Sequence, residues 1–397
     1  MTSLPIDGAS LPLSGVRVLE LARILAGPWA GQLLSDLGAD VIKVERPGEG
    51  DDTRQWGPPF VRALTGDGLS AAYFHSCNRG KRSVAIDIAT PEGQAEVRAL
   101  ALQADVIIEN FKVGGLARYG LDAAAMRALN PALVYCSITG FGQTGPYAHR
   151  PGYDFIVQGM GGMMSITGEP DGPPQKSGVA YADIMTGVYS VVGILAALRQ
   201  RERTGQGAHV DMALLDTQVA VLGNQALNWM VSGNVPQRMG NGHANLVPYQ
   251  SFACADGDLI IAVGNDRQFA RLCGVLNRDA LAGDPRFATN PGRVINREIL
   301  IPQIAEAAAG WGAGALLAAL EANGIPAGPV NRIDQVFADP QVIARNMQIR
   351  TSDRGGDLPG LAAPIVLDGT RMGTGKSAPR LGEDTGAGWR QRSAQLK

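Results

Sequence analysis

The sequence predicts an α/β protein in which roughly the first 150 residues form a largely parallel sheet. Short apolar runs alternate there with helix-like segments, the pattern of successive βαβ units. Of the 397 residues, 45% are apolar and only 18% charged, against a usual charged share of roughly 25%. A chain so poor in charge hides much of its surface, which points to a large core and an extensive subunit interface. Glycine occurs 52 times, roughly twice its usual share, so the backbone must turn tightly or approach other groups closely at many points.

The first strand is VRVLEL (16–21), followed by a small-residue helix from Pro28 to Leu37. ADVIKVE (39–45) and VAIDI (84–88) read as the next strands. Thr90-Pro91-Glu92 opens a helix, with Thr as N-cap and Pro at the first helical position. ADVIIENF (104–111) and PALVYCSITG (131–140) continue the alternation. Thr186–Arg203 is apolar on almost every face, so it reads as a helix buried all round, within a domain or between subunits, and stopped by Gly205 and Gly207. HVDMALLD (209–216) then reads as a strand and Asn224–Ser232 as a helix, before an irregular stretch to Gln250. A strand pair follows at 249–264, with Asp256-Gly257 as its turn; helices fill 266–322, and the Gly/Pro-rich tail from about residue 350 returns over the first domain.

With a formal charge of −2, nothing is basic enough to suggest a nucleic-acid partner. Cys77, Cys136, Cys254 and Cys273 are scattered singly, which fits reduced thiols rather than a disulfide framework. The four histidines show no ligand spacing, so no metal site is expected. The amino-terminal MTSLPIDGASLPLSG lacks the basic start and apolar stretch of a leader, and no long uncharged apolar run suggests a membrane span. A cytoplasmic location is expected.

Dinucleotide binding is disfavoured because LARILAGPWAG supplies Gly27 and Gly31 in the wrong spacing, with Pro28 where flexible turn residues are needed. Neither G-x-S-x-G nor a phosphate loop ending in G-K-[ST] is present. Carboxylates are left to carry any covalent chemistry. Asp183 stands directly before the apolar helix, where the helix start should hold it ionised; an ordinary N-cap is the competing reading. Asp154 has the same ambiguity. Arg46, Arg79, Lys81, Arg82 and Arg118 follow predicted strands or their loops, where an α/β sheet gathers ligands. Together, in VERPGEGD (44–51) and SCNRGKRS (76–83), the charges suit a ligand with several phosphates.

The segments 16–54, 78–93, 104–120, 152–174, 182–187 and 193–207, taken in order, resemble the class III CoA-transferases, also called the CaiB/BaiF or formyl-CoA transferase family. The likeness runs from about residue 12 to 385. It implies a Rossmann-like large domain, a smaller α+β domain inserted late, and an interlocked, threaded homodimer. The corresponding division is residues 1–205 for the first part of the large domain and 206–235 for a linker helix region, then 236–330 for the small domain and 331–397 for the linker and return.

The resemblance places the family's nucleophilic aspartate on Asp183. This carboxylate would attack an acyl-CoA thioester, giving a mixed anhydride and then an aspartyl-CoA thioester. CoA-binding positions match Ala26, Arg46, Asn110, Phe111 and Arg118, with Asn78, Lys81 and Arg82 in the loop beside them. Tyr153 matches an acyl-site tyrosine, and Gly240, Gly242 and His243 lie where the formyl-CoA branch has a glycine lid. That branch has glutamine where Leu25 stands and lysine where Pro151 stands, which argues against oxalate and formyl groups. Residues 238–270 and 324–342 look most like the succinyl-CoA-dependent dicarboxylate branch, whose second carboxylate needs a cation such as Arg23, Arg238 or His243. No permanently bound cofactor is implied; coenzyme A and its thioesters enter as substrates. The alternatives are an α-methylacyl-CoA racemase, whose histidine is replaced here by Tyr153, and a CoA-binding protein without turnover.

Overall fold

Alternation along the first strand decides the layering: Val18 and Leu19 point to opposite faces, and both are fully buried. The sheet must therefore be covered on both sides. A computed structural model describes residues 11–62, 69–353 and 356–392; residues 1–10, which carry most of the leader reading, lie outside the described residues. The chain divides into two units, one of Met1–Gly162, Ser177–Val221 and Asp339–Lys397, the other of Met163–Lys176 and Leu222–Ala338. This differs from the expected division. The strand and first helix within 206–235 fall in the first unit, and the second unit also takes the segment 163–176.

In the first unit, β1 (Arg17–Glu20), α1 (Ala26–Asp36) and β2 (Asp40–Glu45) are followed by α2 (Ala72–Cys77), β3 (Arg82–Ala85) and α3 (Pro91–Ala101). Then come β4 (Val106–Glu109), α4 (Ala123–Leu129), β5 (Val134–Thr139), α5 (Asp154–Met160), α6 (Tyr181–Thr204), β6 (His209–Ala213) and α7 (Leu214–Ala220). The six strands form one parallel sheet in the order β3-β2-β1-β4-β5-β6. On one face Val18, Val106 and Val134 pack with Leu34 of α1 and Ile194 of α6; on the other, Leu19, Ile42 and Tyr135 pack with Val97 of α3 and Met126 of α4. The β3 edge is covered by the returning tail, where Asp384 N–H donates to Ser83 O at 2.8 Å and the Ala85 N–H to Thr385 Oγ1 at 2.9 Å.

Helix α6 begins at Tyr181, five residues before the expected start, because its first N–H groups are satisfied from elsewhere in the chain. Asp154, at the start of α5, accepts from the Ala182 N–H at 2.8 Å and the Asp183 N–H at 3.3 Å. Gly187 lets α6 approach α1 closely, since a Cβ there would sit 2.8 Å from Ala26 O. The single chain does not bury the helix all round: Val188, Tyr189 and Val192 are exposed in it. By length and composition α6 could cross a bilayer, but 44% of its apolar window is packed inside the unit.

The second unit holds a three-stranded antiparallel sheet of β7 (Tyr249–Cys254), β8 (Gly257–Ala262) and β9 (Ala327–Pro329), in the order β9-β8-β7. Its core joins Phe252, Leu259 and Ile261 to Phe269, Leu300, Ile304 and Leu316 on the surrounding helices. The hairpin turn is Ala255-Asp256, one residue earlier than expected, since Cys254 pairs with Gly257. Asp256 is held there by accepting from the Ala313 N–H at 2.6 Å.

Candidate active site

In a parallel sheet whose strand order reverses between β1 and β4, the loops leaving the carboxyl ends of those strands diverge and open a crevice. A cavity of about 440 Å³ occupies that place. Its walls are the turn Arg23–Ala26 after β1, Asn110–Val113 and Arg118 after β4, Thr139-Gly140 after β5, the segment Arg150–Tyr153, Leu214 and Asp183. Gly140 and Gly152 let two stretches of wall cross at backbone contact, since a Cβ on Gly140 would lie 2.4 Å from the Gly152 Cα.

Asp183 sits in the first turn of α6, half-buried, and among the described residues no side chain or backbone N–H donates to its carboxylate. Burial, and next the charge of Asp154, push its carboxyl up to about 7. Both effects act against the ionisation that the helix start is expected to favour. Nor is Asp183 the N-cap; Asp154 fills that role, and its Oδ2 accepts from Gln158 Nε2 at 2.7 Å. Tyr73 of α2, which sequence reasoning missed, has its phenol raised to about 12, chiefly by burial and then by the Asp183 charge.

The turn after β1 is held from beneath. Ile24 adopts φ +73°, a region that a β-branched residue enters only under constraint. Its N–H donates to both Asp51 oxygens at 3.3 Å. Asn110 clamps the residue before it, accepting from Arg23 N at 2.9 Å and donating to Arg23 O at 2.6 Å. Fully buried Lys43 donates to Ala22 O at 2.7 Å and pairs with Asp51 at 2.9 Å and Glu20 at 3.0 Å. Burial alone would lower the Lys43 ammonium, but Asp51, Glu20 and Glu45 raise it above its ordinary value. The sequence carried one sign of this cluster, a lysine between Ile42 and Val44 in the middle of the strand ADVIKVE.

The structure brings Arg23, Ala26, Asn110, Phe111, Arg118, Tyr153 and Asp183 around one cavity. A second, of about 390 Å³, shares Arg23 and Phe111 with it and is lined also by Arg46, Asp87 and Tyr119. Arg46 is exposed there and pairs with Glu49 at 3.0 Å, while Arg118 lies over the Tyr119 ring at 4.5 Å. Asn78, Lys81 and Arg82 line neither of these cavities. Lys81 is enclosed, donating to Glu20 Oε1 at 2.9 Å, Pro28 O at 2.8 Å and Asn78 Oδ1 at 2.8 Å. Arg82 pairs with Asp40 at 2.7 Å. These are internal ties that offer a phosphate no free charge, so the reading of this loop as a phosphate contact is corrected.

Gly240, Gly242 and His243 belong to the second unit. Gly240 takes φ +57° and its N–H donates to Gly168 O at 3.0 Å. His243 Nδ1 accepts from the Asn245 N–H at 3.0 Å and the Leu246 N–H at 3.1 Å, which makes it a fastener of its own loop. Arg238 donates to Glu169 O at 3.2 Å.

A carboxylate on the wall of a crevice at the switch point of a doubly wound sheet is the setting of a ligand-binding α/β protein, most often an enzyme. Comparison with known proteins narrows this class. The profile of CoA-transferase family III matches residues 13–385, and the chain belongs to that family. It is 56% identical over 384 residues to a succinate–glutarate CoA-transferase of Agrobacterium fabrum, covering 96% of each chain. A succinyl-CoA:glutarate CoA-transferase of Mus musculus is 43% identical over 380 residues, 94% of this chain and 85% of that one. The crystal structure of a CaiB/BaiF family protein from Brucella suis superimposes with a TM-score of 0.83 at 56% identity, covering 95% of this chain and 98% of that one. The chain is therefore an enzyme, a CoA-transferase.

Proposed function

We propose that this enzyme moves CoA from a dicarboxylyl-CoA thioester, succinyl-CoA foremost, to a free dicarboxylic acid of similar length, with Asp183 as the covalent nucleophile. The observation that carries the reading is the Asp183 carboxylate itself, donor-free on the wall of the switch-point cavity and poised near 7. The printed activities of the relatives support the dicarboxylate substrates.

The Asp183 carboxylate attacks the thioester carbonyl, forming a mixed anhydride as the C–S bond breaks and CoA leaves as thiolate. The thiolate attacks the aspartyl carbonyl, which releases the donor acid and leaves an aspartyl-CoA thioester. The acceptor carboxylate attacks that thioester, forming a new anhydride and freeing the thiolate again. Thiolate attack on the acceptor's acyl carbon delivers the product thioester and restores Asp183. The overall exchange replaces one thioester by another and needs no net energy input, so the enzyme has to orient the groups and shield the high-energy anhydrides from water.

The neighbouring cavities suit an extended CoA, its thioester arm beside Asp183 in the first and its nucleotide toward Arg46 in the second, with Phe111 on the wall of both and Arg118 on that of the first. Arg23 and Arg150 are the arginines on the wall besides Arg118, and they suit the distal carboxylate of a dicarboxylate. A homodimer, with the chains interlocked as the resemblance implies, is supported by the exposed apolar strip of α6 together with Phe155, Ile156 and Met160 of α5. A cytoplasmic location accords with the scattered free thiols.

The test is to treat the protein with succinyl-CoA, quench with hydroxylamine and map the modified residue by mass spectrometry. A hydroxamate on Asp183 is expected; an unmodified Asp183 under turnover conditions overturns the mechanism.

A further inference from the structure

A second buried carboxylate lies outside the reacting groups. Glu109 closes β4 just before Asn110 and Phe111, and is 6% exposed. Its Oε2 accepts from the Phe111 N–H at 2.7 Å. The cross-strand neighbour on β5 is Ser137, in register with it, and the Ser137 side chain helps to hold the Glu109 carboxyl down. Ser137 Oγ in turn stands 2.9 Å from His209 Nε2 on β6, and His209 reaches the exposed rim. Three adjacent strands thus contribute one polar group each to a chain running from solvent to the turn 110–118. The chain lines a separate cavity of about 230 Å³, which shares Phe111, Lys112 and Val113 with the cavity that holds Asp183.

We propose that Glu109 is a positioning residue for CoA binding, its carboxylate gripping the Phe111 amide so that the turn 110–118 keeps the shape against which CoA lies. The proposal rests on the CoA reading of the Asp183 cavity. It makes the grip proton-dependent. With Glu109 ionised, the hydroxyl of Ser137 donates to it and Nε2–H of His209 donates to Ser137. When Glu109 takes up a proton, its own O–H donates to Ser137, the Ser137 hydroxyl turns to donate to Nε2, and the imidazole carries its hydrogen on Nδ1. The carboxylate loses its charge, and the charge-assisted hold on Phe111 weakens to that of a neutral acceptor.

Burial favours the neutral form at both ends of the chain. Burial raises the Glu109 carboxyl to about 7, with the Ser137 and Phe111 hydrogen bonds partly opposing it. Burial lowers the His209 imidazole, Asp211 on the same strand raising it and Arg127 of α4 lowering it. The other groups around Glu109 are Tyr135 on β5, Asp122 at the start of α4 and Lys112 on the turn. On the β1 side, Glu20 is engaged by Lys43 and Lys81.

The experiment titrates the full-length protein with free CoA between pH 6 and 8, for the wild type and Glu109→Gln. Affinity of the wild type should rise with pH by roughly three- to tenfold, and Glu109→Gln should lack the part due to the protein while keeping the part due to titration of CoA itself. Ser137→Ala removes a donor to the carboxylate and should move the wild-type transition to higher pH; it serves as the second variant if Glu109→Gln does not fold. Identical pH profiles for wild type and Glu109→Gln, or an unmoved transition in Ser137→Ala, overturn the proposal. Phe111→Ala separates the two readings. It should weaken CoA at both ends of the pH range, and if it leaves affinity unchanged, the cavity reading fails and this proposal with it.

Discussion

Asp51 and Asp183 lie in the same unit as the same residue type, yet their carboxyls stand at about 2 and about 7. Burial pushes both upward. At Asp51 it is overcome by Lys43 at 2.9 Å and by the N–H and hydroxyl of Thr53, at 3.0 and 2.7 Å. At Asp183 no cation or hydrogen-bond donor among the described residues opposes it, and Asp154 adds to it. A buried carboxylate with a cation is a fastener; one left without a partner beside a cavity holds its negative charge at a cost and can spend it on an electrophile. The Glu20–Lys43–Asp51 cluster and the Asp183 cavity therefore divide the work, the first fixing the turn that the second needs.

The division is most sharply tested at Asp183 itself. Asp183→Ala should lower CoA exchange by on the order of 10⁴ or more while the protein stays folded, measured by conversion of succinyl-CoA with a dicarboxylic acid. The isosteric Asp183→Asn should also raise stability at pH 8, by up to roughly 4 kcal/mol, and change it little at pH 3. The sign follows from a folded-state value near 7 against a model value of 3.8. Between those values the folded state binds a proton that the unfolded chain has released, so stability falls as pH rises, and the asparagine removes that loss.

At the other pole, Lys43→Met should cost roughly 3–5 kcal/mol in denaturant unfolding, because Asp51 and Glu20 are left buried without their shared cation. A fully folded Lys43→Met protein of unchanged stability would erase the contrast. A smaller effect is expected at the cavity wall. Arg150→Gln should raise KM for a dicarboxylic acceptor by roughly tenfold and leave a monocarboxylic one unchanged, in initial-rate assays with both acids. The smallest shift concerns Asp154. The rate should fall below about pH 7 as the Asp183 nucleophile is protonated. Asp154→Asn can still cap α6 but removes a negative charge, so that limb should move to lower pH by less than about one unit.

Much of the fold was legible in the chain. The alternation of VRVLEL, ADVIKVE, ADVIIENF and PALVYCSITG marked the parallel strands, and Thr90-Pro91 marked a helix start that is built as expected, with Thr90 accepting from the Gly93 N–H at 3.0 Å. The start of α6 was not, because its cap is Asp154, 28 residues earlier in sequence. Arginines and lysines read alike in a string, although Arg46 stands in solvent and Lys81 is sealed against Glu20. Glu109 gave no local sign at all. Its interest comes from Ser137 and His209, brought alongside only by strand pairing.

The sequence by itself determined the period of its strands and helices, the absence of the usual nucleophile and phosphate motifs, and the family to which its ordered segments belong. These depend on residue type and spacing along the chain, which neighbours in space do not alter. Only the tertiary structure decided which carboxylates are neutralised and which are left unpaired. Ionisation in a protein is set by the burial and the charges around a group, and those come from segments far apart in the chain.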